Sequence, residues 1–60
     1  MGLTLTPNIP DPDGFYDGLL AAHEGLSDAD SEALNARLVL LLANHIGDRD
    51  VLRAALEAAK

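Results

Sequence analysis

Between Ser27 and Ile46 the chain places apolar residues at almost every angular position of a helix. Counting about 100° per residue from Leu34, the positions Leu34, Leu38, Leu41 and His45 share one face, and Val39, Leu42, Ala43 and Ile46 widen it to about half the circumference. Leu40 falls on the far side. A helix that is apolar nearly all round needs cover on several sides, and a chain of 60 residues offers only two other short helices to provide it. The pattern therefore predicts that another protein chain supplies the missing wall.

The remaining pattern predicts an all-α, small three-helix domain with an extended N-terminal arm. Residues 1–10 form the arm, because Leu3-Thr4-Leu5-Thr6 alternates and Pro7, Pro10 and Pro12 oppose a helix. Leu3, Leu5 and Ile9 pack down on the helices, or the arm reaches across to a partner, or it stays partly frayed. The domain spans 11–60, with helices at about 12–25, 28–46 and 49–59. Asp11 can cap the first helix, with Pro12 at its first position and Asp13 in its first turn. Phe15, Leu19, Ala22 and Leu26 make its apolar face. Gly14, Gly18, Ala21 and Gly25 make an opposite stripe of small residues, fit either for close helix approach or, at Gly25, simply for the helix end. Ser27 with Asp30 approximates a capping box for the second helix, which Gly47 ends. Asp48 caps a third helix whose Val51, Leu52, Ala55, Leu56 and Ala59 face inward, with Arg53 and Glu57 as an exposed i,i+4 pair.

Charge narrows the partners. Seven Asp and three Glu stand against three Arg and one Lys, for a formal net charge of -6. Such a field repels phosphate backbones, so no nucleic acid is expected as a partner. With no cysteine, disulfide, thiolate-metal and cysteine-nucleophile chemistry are excluded, and association with another chain remains as the means of stabilising so small a domain. No stretch approaches the roughly 18 consecutive apolar residues of a membrane helix, so no membrane partner is expected. The first residues lack a cationic leader, which makes the cytoplasm the expected compartment.

His23 and His45 are the only side chains that ordinarily titrate near neutrality, and both sit at the edge of an apolar face. They are candidates for a polar core. A small oligomeric enzyme using them as an acid/base pair is the alternative. Neither has a ligand-type residue at i+3 or i+4 within its own helix, so no metal is expected, and no cofactor. The pairs Asp11/Asp13, Asp28/Asp30 and Asp48/Asp50 each straddle an expected helix start, where capping accounts for them. Asp30-Ser31-Glu32 is similar to the prosthetic-group attachment site of acyl carrier proteins, with Glu32 in place of leucine, but the chain is too short for that four-helix fold. No catalytic residue is assigned and the chain is not expected to be an enzyme.

Three segments carry a resemblance. Residues 5–13 (Leu-Thr-Pro-Asn-Ile-Pro-Asp-Pro-Asp), residues 22–27 (Ala-His-Glu-Gly-Leu-Ser) and residues 34–48, opening with Asn35-Ala36-Arg37-Leu38, resemble a family of small bacterial proteins known as domain of unknown function 2783. That family has no assigned activity, so the resemblance transfers no catalytic residue. Because its members are thought to be encoded beside flavin-dependent hydroxylases of aromatic breakdown, the resemblance implies such an enzyme as a partner, with this chain as its accessory subunit. It also directs attention to polar residues of the second helix. Ala33, Ala36, Arg37, Leu40 and Asn44 lie together opposite the main apolar face, a platform of small residues with Arg37 as a potential anchor. They form the candidate interface. The plainer account pairs Arg37 with Asp30 or Glu32 and leaves Leu40 as an ordinary exposed leucine. The sequence as a whole points to a protein–protein interaction or accessory module that self-associates, most simply as a dimer, or docks on a larger enzyme.

Overall fold

Three side-chain caps and two glycines divide the chain into its helices. The computed structural model describes residues 2–60: α1 (Pro12–His23), α2 (Asp28–Ile46) and α3 (Arg49–Ala59), with no strand among the described residues. The fold is all-α. Asp11 opens α1 from a left-handed backbone conformation (φ 51°, ψ 63°), its carboxylate accepting from the Gly14 N–H at 3.2 Å. A Cβ on Gly14 would collide with that carboxylate, which is why position 14 holds a glycine. Ser27 opens α2 by accepting from the Asp30 N–H at 3.2 Å, and Asp48 opens α3 by accepting from the N–H groups of Asp50 (2.9 Å) and Val51 (3.2 Å).

The helix ends are as local as the starts. α1 stops at His23, two residues short of the expected end, because Glu24 turns to an extended backbone and Gly25 adopts φ 78°, letting the Leu26 N–H bond back to the His23 carbonyl at 3.2 Å. Gly47, at φ 70°, returns its N–H to the Ala43 carbonyl at 2.9 Å. Asp48 begins α3 directly after it, so α2 and α3 meet at a tight corner. No other helix of this chain packs on the small-residue stripe of α1: nothing lies within 4 Å of a Cβ built on Gly18 or Gly25. Gly14 and Gly25 serve a cap and a turn instead.

Packing is sparse. The Cα radius of gyration is 13.3 Å, against about 10 Å for a compact chain of this length. No described residue is buried. The best-covered side chains are half-buried: Leu19 on α1, Leu34 and Leu38 on the first half of α2, Ala43, and Val51, Leu52, Ala54 and Ala55 on α3. Of the arm, Leu3 is half-buried, whereas Leu5 and Ile9 are exposed. The expected Arg53–Glu57 pair is absent. Arg53 instead meets Asp50 at 3.6 Å and Glu57 meets Lys60 at 3.1 Å, both i,i+3 pairs on the solvent face.

Candidate functional site

Two apolar concavities flank α2. Across the first, of about 330 Å³, Phe15, Leu19 and Ala22 of α1 face Leu34 and Leu38 of α2 without filling the gap. The second, of about 440 Å³, is the groove in the corner of α2 and α3, where Val39, Leu42 and Ile46 form one wall and Leu52 and Leu56 the other. Ala43, Ala55 and Ala59 lie between the large side chains and keep the groove open. A surface of alternating large and small apolar residues is suited to receive another helix, since knobs need holes.

This groove corrects the expected inward face of α3. Leu56 is 67% exposed and Ala59 is exposed as well, because α3 leaves the corner at an angle that separates its later turns from α2. The distinction drawn between a core face and an interface face on α2 also disappears in its second half. Leu41, expected inside, is 69% exposed and Leu40, expected outside, is 70% exposed. α1 lies against Leu34 and Leu38 and leaves Leu41 uncovered.

The candidate interface is exposed except at one residue. Ala36, Arg37, Leu40 and Asn44 face solvent and Ala33 is half-buried. Among the described residues Arg37 takes part in no ion pair, so neither Asp30 nor Glu32 holds it. The groove was not singled out from the sequence, although its α2 wall lies at about 80–180° on a wheel counted from Leu34 and Leu40 at about 240°. The missed signal is the meeting of the 39, 42, 46 stripe with the 52, 56 stripe across a two-residue corner.

His23 and His45 are not brought together. His23 Nδ1 is 2.5 Å from Ser31 Oγ, a half-buried bond that ties the last turn of α1 to the start of α2. His45 lies fourteen residues beyond Ser31 on the same helix, about 21 Å along its axis, and is exposed. Neither histidine is buried: His23 is half-buried beside Ser31, and His45 faces solvent. Within one chain the histidines cannot act as an acid/base pair.

The Ser31–His23 contact resembles half of a nucleophile–base arrangement. Its surroundings lack the rest: among the described residues no carboxylate bonds His23, and the depression beside it is lined by Asp17, Leu20, Ala21 and Glu24, all from one helix and its end. One helix flank cannot enclose a reacting group. The bond engages the hydroxyl that the acyl-carrier comparison would need free. No three His, Asp or Glu side chains group to hold a metal among the described residues, and no described helix is long and apolar enough to cross a membrane.

Residues 3–60 match the family model described as protein of unknown function (DUF2783). The chain belongs to the DUF2783 family. No curated protein and no solved structure matches it. The DUF2783 description assigns no role to any residue, so the exposed apolar surface of this member has to be argued from its own physical chemistry.

Proposed function

We propose that this DUF2783 protein is a non-catalytic protein–protein interaction or accessory module, which works with its apolar surface covered by a second copy of itself or by a larger enzyme. The observation that carries the reading is the absence of any buried residue among those described, together with twelve large apolar side chains that are at least 40% exposed. Nine of these lie on helices, where backbone regularity cannot hide them. Covering a Leu, Ile or Phe fully contributes about 1.5–3 kcal/mol, so even partial cover of several outweighs what the open chain gains alone. Isolated helices of 12, 19 and 11 residues are marginal in water, and most helical stability comes from packing of an apolar face.

Thermal melts over a hundredfold range of protein concentration, followed by amide hydrogen exchange, test this. A midpoint that rises with concentration supports self-association, and a poorly protected chain that becomes protected when an enzyme partner is added supports docking. A cooperative, concentration-independent melt with strong protection in a solitary chain contradicts both.

A further inference from the structure

We infer that the α2–α3 groove is the seat of a second copy of this chain, packed about a two-fold axis so that each groove receives the other's α2 stripe. This rests on the interaction-module reading and names its partner. The first support is area. The chain exposes 5267 Å², whereas a compact monomer of 6.3 kDa exposes about 3,700 Å². The excess of about 1,500 Å² is ample for the roughly 800 Å² per partner of a standard interface, even with the extended arm accounting for part of it. The second support is the placement of charge. Residues 1–32 hold seven carboxylates and no Lys or Arg, for -7, whereas residues 33–60 hold four cations and three carboxylates, for +1.

Two identical chains therefore repel through their first halves and not through their second. The groove lies wholly in the second half, and between Glu32 and Asp48 the only Asp, Glu, Lys or Arg is Arg37. Docking through the groove buries no formal charge from its walls. A basic protein would be drawn instead to residues 11–32, away from the α2–α3 groove. The third support is shape: a wall of Val39, Leu42 and Ile46 beside the openings at Ala43, Ala55 and Ala59 is complementary to itself, as an isologous contact requires.

Adjacent substitutions test the inference. Val39 and Leu40 are 64% and 70% exposed in the single chain, so an aspartate at either perturbs α2 itself to a similar degree. Light scattering should give the wild type and Leu40→Asp the mass of two chains, and Val39→Asp the mass of one. Retention of the double mass by Val39→Asp overturns the groove as the interface while leaving self-association intact. Dissociation by Leu40→Asp alone moves the interface to the other face and overturns it equally. A wild type of single mass overturns the second copy; if it is then well folded the interaction-module reading falls too, and if it is not, a different protein is the occupant. Should both variants dissociate, isotope-filtered NOEs in a mixture of labelled and unlabelled wild type decide: cross-copy signals at the Val39, Leu42, Ile46 and Leu56 methyls sustain the proposal, and their absence ends it.

Discussion

The two halves of α2 differ in both content and cover: the first is mostly polar or small, and the second is mostly large and apolar. Its first half lies beside α1, where Leu34 and Leu38 are half-buried and the His23–Ser31 bond fixes one end of the hairpin. Its second half carries Val39, Leu40, Leu41, Leu42 and Ile46, all exposed, beside an α3 that touches it only near the corner. α1 lies against Leu34 and Leu38 on one side only, and α3 faces Val39, Leu42 and Ile46 across an open groove. Charge divides at Glu32: residues 1–32 are acidic, and residues 33–60, which hold the uncovered stripe of α2, are nearly neutral. The uncovered half is thus also the half that tolerates a like-charged neighbour.

The sharpest way to break this comparison is to charge the groove on both walls. Leu42→Asp with Leu56→Asp should remove the dimer and most of the far-UV helical signal of α2 and α3, since the paired state is what orders them; circular dichroism unchanged from wild type would show that the second half stands on its own. A smaller contrast is expected between Leu38→Ala and Leu41→Ala. The first loses partly buried packing and should cost roughly 1–2 kcal/mol, toward the low end for core truncations, whereas the second should cost less than about 0.5 kcal/mol in urea titrations at fixed concentration. Equal losses would mean that α2 is covered evenly along its length.

Loss of either small anchor should cost about 1 kcal/mol. Asp48→Ala leaves the Asp50 and Val51 N–H groups without their acceptor, and Ser31→Ala leaves His23 without its partner. In a domain of this size each should lower the melting midpoint by roughly 4–8 °C. A Ser31→Ala midpoint equal to wild type would show that the hairpin is held by apolar contact alone. Least affected is Arg53→Ala, whose 3.6 Å pair with Asp50 is solvent-exposed on both sides; its midpoint should stay within about 2 °C.

Much of the local structure was legible in the residues. Asp11, Ser27 and Asp48 are the caps that their positions suggested, and Gly47 is the helix end, because capping depends on neighbours within three residues. The all-α class followed from the same signals. The family was legible as well, through tracts such as Asn35-Ala36-Arg37-Leu38, and residues 3–60 match it. What the pattern could not supply was the distance between helices. A helical wheel orders directions on one rod, and it placed Leu41 inside and Leu40 outside without knowing that no other helix covers either of them. The stripe of glycines on α1 allowed two readings for a related reason, since a small residue fits a tight cap or a turn as readily as a close neighbour. The His23–Ser31 bond needed only the observation that a four-residue connection sets the last turn of α1 beside the first turns of α2. The groove needed two stripes on different helices to be considered together across Gly47 and Asp48.

Sedimentation equilibrium with circular dichroism on the same dilution series of the wild-type chain addresses the central claim most directly. A mass near twice 6.3 kDa that falls to one chain on dilution, with helicity falling in step, is what an uncovered second half of α2 predicts. A mass of 6.3 kDa with full helicity at every concentration would contradict it.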